Sequence, residues 1–250
     1  MRFVPSPGAQ SPPASNLHVQ SNPAGRAVVQ LLAVGPGRQG QNQECSATGF
    51  LVNDDGYILT NAHVIKELRE CLPKTPEARI VAKFAPAAAD ESGAVPQEGV
   101  MAPSVSCGLV GLDEVHDLAV IKAERPVRLD EHLSIPYETL SAVEVAPGAS
   151  VKVTGHPAFA WQAVTEPGHV LSHKTLLLSG RKAPPSEVLI LDLRLRRGNS
   201  GSPVYLDPGG SVVGVVVAED PQNSAQSVAV RIRYAIELLD RLGVTWHSPP

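Results

Sequence analysis

The chain has 250 residues, with 21 Lys and Arg against 25 Asp and Glu, a formal net charge of −4. That length suits one large β domain or two small ones, with enough residues to bury a core. The mild acidity offers no electrostatic handle to nucleic acid or an anionic membrane, and the longest apolar run, Val212 to Ala218, is far too short to cross a bilayer.

Residues 1–24 are rich in Pro, Ser and Gln and are expected to be disordered. They hold no apolar h-region, so no signal peptide is expected, and the chain is read as cytoplasmic if it is complete. Short runs rich in Val, Ile and Leu then follow one another at 26–34, 47–52, 57–60, 78–84, 105–112 and 118–123. NDDG at 53–56 marks a hairpin turn between two of them. Asn61 to Glu70 is a short helix candidate directly after YILT. Residues 84–104 are rich in Ala, Pro and Gly without periodicity, which predicts a long loop between two strands. Residues 125–140 read as a linker.

A second set of runs lies at 150–155, 163–172, 187–195, 202–206, 212–218 and 227–232. Many short strands separated by Gly, Pro, Asp and Asn turns signal a β-sandwich or barrel. Tyr234 to Gly243 predicts a closing helix, with apolar residues at 235, 236, 238, 239 and 242 on one face and Gly243 as its stop. The simplest arrangement is all-β: two six-stranded antiparallel β-barrels with a short C-terminal helix. Residues 1–24 would precede a first barrel over 25–135 and a second over 136–247.

The chemistry begins with RRGNSGSPV, Arg196 to Val204. Alone it reads as a polar glycine turn. Serine is a weak nucleophile, so Ser200 needs a base within hydrogen-bond reach and a group that orients the base. Of eight histidines, His63 in TNAHVI stands at the end of one strand and the start of a helix. Asp117 in HDLAVI stands just before another strand. Taken singly, each reads as an ordinary strand-end residue. In chain order they run His, Asp, Ser, and only the double-barrel class of serine hydrolases has that order.

TNAHVI, HDLAVI and GNSGSPV together resemble the trypsin-like serine proteases of chymotrypsin fold, nearest to bacterial HtrA/DegP-type and V8-like peptidases. The likeness covers roughly residues 26–243. It implies a chymotrypsin-like pair of barrels and a serine endopeptidase without cofactor, acting on protein or peptide. His63 would be general base and then acid, Asp117 its orienting partner and Ser200 the nucleophile. The amides of Gly198 and Ser200 would form the oxyanion hole. Asn199 stands where digestive relatives carry an aspartate that pairs with a new N-terminal ammonium, so activation by that route is not expected. HtrA-type proteins usually carry a C-terminal PDZ domain; none is expected within the residues up to Pro250, and whether the chain is a fragment of a larger protein is not legible. The rival reading is a non-catalytic trypsin-like domain used for binding or scaffolding.

Specificity is less legible. Arg194 occupies the position where basic-specific relatives carry an acid, so cleavage after Lys or Arg is not expected. It either lines the S1 pocket and favours acidic or polar side chains, points out of it, or pairs with Asp192. An apolar pocket walled by Val215, Val216 and Val217, taking small or medium aliphatic side chains, is the preferred reading. His116 is expected to face solvent. His156, His169 and His173 lack matching ligands, so no metal site is expected. Cys45, Cys71 and Cys107 also lack metal-ligand spacing. They are either partly buried thiols or include a Cys45–Cys71 disulfide. Oligomeric state is not legible.

Overall fold

The computed structural model describes residues 27–35, 45–72, 74–84, 104–124, 137–157, 163–178, 183–220 and 222–250. The expectations for residues 1–24, for most of the 84–104 loop and for the linker up to 136 lie outside them, as does the boundary between 135 and 136.

The first barrel comprises β1 (Val28–Val34), β2 (Ser46–Leu51), β3 (Tyr57–Thr60), β4 (Arg79–Phe84), β5 (Ser104–Asp113) and β6 (Leu118–Ala123). They close in the order β1-β2-β3-β6-β5-β4. The second comprises β7 (Ser150–Gly155), β8 (Val164–Leu176), β9 (Ser186–Leu191), β10 (Pro203–Leu206), β11 (Val212–Asp220) and β12 (Asn223–Arg231). They close as β10-β11-β12-β9-β8-β7. All pairings within the barrels are antiparallel. Helix α1 (Ala62–Cys71) leaves β3, and α2 (Ile232–Arg241) follows β12 directly.

Closure explains why so many strands read as unbroken apolar runs. One face of each strand turns into its own barrel, and in β2, β6 and β11 the other meets the neighbouring barrel or a helix, whereas the outer faces of β5 and β8 are largely exposed. Val29, Leu31, Ile58 and Ile121 fill the first barrel. Val153, Val170, Leu189 and Leu191 fill the second. Phe50, Leu59 and Val120 from the first barrel meet Tyr205, Val215, Val230 and the α2 residues Ala235, Leu238 and Leu239. That third cluster joins the two barrels through apolar burial, the main favourable term in folding.

The ends of the elements follow local chemistry. Gly56 (φ 86°) closes the predicted 53–56 turn, and the Tyr57 amide donates to Asn53 Oδ1 at 3.2 Å. Helix α2 ends in a Schellman motif. The Gly243 amide (φ 66°) donates to Asp240 O, and the amide of the buried Val244 donates to Leu239 O. Cys45 and Cys71 form a disulfide with Cα atoms 6.2 Å apart, tying the end of α1 to the entry of β2.

One strand expectation is corrected. The run 187–195 leaves the sheet at Leu191. Beyond it the Ser227 hydroxyl substitutes for a ladder partner: it accepts from the Leu195 amide at 3.2 Å and donates to Leu193 O at 2.6 Å.

Candidate active site

Strand register brings two of the three site residues together. β3 pairs antiparallel with β6, with Thr60 opposite Ala119. The residues just past the end of β3 therefore lie beside those just before β6. His63, in the first turn of α1, meets Asp117 there. Its Nδ1 lies 2.6 Å from Asp117 Oδ2, and its backbone amide donates to Asp117 Oδ1 at 2.9 Å. Asp117 is buried and holds a left-handed conformation, φ 54°. Asn61, at the N-cap position of α1, makes no side-chain cap; its Nδ2 donates to Asp117 O at 3.0 Å instead.

Burial alone would lower the pKa of His63. The hydrogen bond and negative charge of Asp117, with a contribution from Glu67, outweigh it, and the imidazole pKa stands above 6.5.

Ser200 sits in the turn ahead of β10, between Gly198 (φ 95°) and Gly201 (φ 85°). Both glycines occupy left-handed backbone that other residues reach only with strain. The turn's backbone hydrogen bonds start from the amides of Asn199, Gly201 and Ser202. Among the described residues, no backbone carbonyl accepts from the amides of Gly198 or Ser200. Ser200 Oγ donates to Val217 O at 3.2 Å. His63, Asp117 and Ser200 line one cleft of about 530 Å³.

Thr48, on β2, is a residue that sequence reasoning missed. The first barrel grips the Ser200 turn of the second through it. Its amide donates to Ser200 O at 3.0 Å, and its Oγ1 donates to Gly198 O at 2.7 Å and accepts from the His156 amide at 3.0 Å. Thr60 Oγ1 in turn donates to Thr48 O at 2.7 Å. A threonine inside ATGFLV is an ordinary β-strand residue by type, so no signal in the sequence marks it.

The specificity residues divide. Val216 and Val217 line the cleft, with Leu195 and Ala218 beside them. Val215 does not: it is fully buried in the cluster between the barrels. The reason is the pairing of β11 with β12. Val216 lies opposite Ala229 and Ala218 opposite Val228, so Val217 is an extra, bulged residue. Arg194 is absent from the cleft that holds Ser200 and lines an adjoining hollow instead. The acid proposed for it, Asp192, is held by His169, with Nδ1 to Oδ2 at 3.0 Å. His116 corrects a second expectation. Instead of facing solvent it pairs with Asp113 at 3.0 Å and stacks on Tyr234, with ring centres 3.8 Å apart.

Two closed barrels with a polar cleft carrying His63, Asp117 and Ser200 define the architecture of the trypsin-like class. The family model of the trypsin-like peptidase domain matches residues 47–215, and the chain belongs to that family. It is similar to a probable periplasmic serine endoprotease DegP-like of Halomonas elongata, 27% identical over 218 residues, covering 83% of this chain and 37% of the relative. It is similar also to serine endoprotease DegS of Haemophilus influenzae, 26% identical over 191 residues, covering 76% and 46%. The chain thus spans less than half the length of these curated relatives. In structure it resembles the Rv3671c protease of M. tuberculosis in its active form, with TM-score 0.62, 19% identity and coverage of 98% of this chain and 96% of that one. Deg5 gives TM-score 0.62 at 24% identity, with coverage of 89% and 92%. These likenesses bear on the fold.

Proposed function

We propose that the chain is a serine endopeptidase that hydrolyses peptide bonds through an acyl-enzyme, with His63, Asp117 and Ser200 as its catalytic residues. The observation that carries this reading is the 2.6 Å contact of His63 Nδ1 with Asp117, in a cleft that Ser200 also lines. Asp117 accepts a hydrogen bond from Nδ1–H and keeps the proton on that nitrogen, which leaves Nε2 as the basic nitrogen. Ser200 Oγ turns from Val217 O toward that nitrogen, gives up its proton and attacks the substrate carbonyl. The amides of Gly198 and Ser200 receive the oxyanion; removing one such donor generally costs about 3 kcal/mol in the transition state. His63 then returns its proton to the leaving amine, and water repeats the sequence on the ester. Leu195, Val217 and Ala218 supply an apolar wall suited to small aliphatic P1 side chains.

The test is labelling with a fluorophosphonate in the presence of a cleft-filling peptide. Covalent labelling of the native chain, lost in Ser200→Ala, is expected. A native chain that resists labelling with and without peptide would overturn the catalytic reading.

We also infer that the chain works outside the reducing cytoplasm. The Cys45–Cys71 disulfide supports this, because such bonds persist in oxidising compartments. Relatives named as periplasmic support it too. The cytoplasmic expectation finds no support in either.

A further inference from the structure

The three arginines ahead of the nucleophile turn have a fixed geometry that the hydrolytic steps do not use. Leu193 and Leu195 are buried in the second barrel. In extended chain neighbouring side chains point to opposite sides, so Arg194 and Arg196 must face outward. The two hydrogen bonds of Ser227 to Leu195 N and Leu193 O pin that register. Arg196 and Arg197 line the cleft that holds Ser200. With Arg194 they also line an adjoining hollow of about 770 Å³, so the pair forms the border between the two spaces.

Glu166 and Glu219 line the same hollow. Even so, among the described residues no carboxylate lies within ion-pair distance of Arg194, Arg196 or Arg197. By contrast Arg231 binds both Glu144 and Glu187. Planar guanidinium groups without an ion pair among the described residues, two of them bordering the cleft and all three the hollow, favour carboxylates, which they can bind through paired hydrogen bonds. The cleft is otherwise mixed in charge, since Glu67 and Glu219 also border it. Recognition there requires an aimed contact and does not follow from bulk attraction.

We propose that Arg194, Arg196 and Arg197 are specificity-determining residues that select polypeptides carrying an acidic side chain near the scissile bond but outside the P1 position. The apolar wall takes P1, and the hollow next to it takes the carboxylate. An extended peptide advances about 3.4 Å per residue, so four residues on either side of the bond cut reach about 14 Å each way. The cleavage part of this proposal rests on the peptidase reading; the binding part does not.

The experiment compares fluorogenic peptides that differ only in Glu, Gln or Lys at each position from four before to four after the scissile bond. At one or more positions other than P1 kcat/KM is expected to be about tenfold higher for Glu, and the ratio to shrink with added salt; a preference confined to P1 would overturn the proposal. Binding of the same pairs to Ser200→Ala, followed by fluorescence polarisation, is expected to show the same order. In the triple variant Arg194→Gln, Arg196→Gln, Arg197→Gln the Glu-to-Gln ratio should fall to about one. In Arg196→Glu, Arg197→Glu the preference should pass to Lys, a gain that a misfolded variant could not produce. Equal binding of Glu and Gln peptides, or a preference that survives in the triple variant, would sink the proposal. Should no peptide be cleaved, the peptidase reading fails, and the binding comparison still decides this one.

Discussion

At the scale of single residues, Asp117 is the most constrained group in the site. Its positive φ lets one side chain accept from both the backbone amide and the ring of His63, while its own carbonyl accepts from Asn61. Asp and Asn tolerate this backbone better than other side chains that carry a Cβ. Asp117→Asn therefore keeps the fold but loses the charge that holds up the His63 pKa. Its kcat is expected to fall by about 10⁴, the loss typical when a triad acid is neutralised. The pH profile gives a second readout. A general base must be unprotonated, so kcat/KM of the native enzyme should rise with pH through a midpoint above 6.5. In Asp117→Asn that midpoint should move down. An acid limb that stays in place would show that another group controls it. HDLAVI made Asp117 a candidate by its position ahead of a strand, but nothing in those letters revealed the left-handed turn that aims it.

At the scale of elements, the nucleophile turn belongs to the second barrel in sequence and to both barrels in hydrogen bonding. Gly201 shows how close they come. A Cβ there would strike the Thr48 carbonyl and the Thr60 hydroxyl, on backbone that is already left-handed. Gly201→Ala is expected to cost about 2–4 kcal/mol of stability, measured by urea unfolding, and to abolish active-site labelling. A variant with native stability would mean that the barrels separate there at no cost. Strand existence was legible because closed barrels demand apolar runs punctuated by turns. Val215, Val216 and Val217 were not separable, because the bulge that moves Val217 onto the cleft depends on pairing with Ala229 and Val228. The end of β9 at Leu191 was hidden for a related reason: Leu193 and Leu195 continue the alternation of a strand, while Ser227, more than thirty residues later, accepts and donates in place of the sheet.

At the scale of the whole molecule, the segment after residue 136 straps the barrels together. The Glu138 amide donates to Leu51 O in the first barrel, and its carboxylate accepts from the Tyr205 hydroxyl in the second at 2.8 Å. Burial pushes the Glu138 pKa up to about 7, against an opposing contribution from the Tyr205 hydrogen bond. The folded chain therefore holds this proton more tightly than the unfolded chain, where the group titrates near 4.5. Its contribution to stability is full below 4.5 and is lost as pH rises toward 7, by up to about 3 kcal/mol. Subtracting urea unfolding curves of Glu138→Gln from those of the native chain should expose this slope between pH 4.5 and 7; a flat difference would refute it. The grip of Thr48 on the nucleophile turn has a consequence for how the molecule is made. The first barrel leaves the ribosome before Ser200 is synthesised, and domains generally fold in that order. The strand that shapes the turn is thus in place before the turn exists. On the peptidase reading, a chain cut short between the barrels carries His63 and Asp117 with nothing to activate, and a second barrel alone carries Ser200 without the contacts from Thr48. On that reading, hydrolytic chemistry is thereby withheld from the nascent polypeptide until both halves have met.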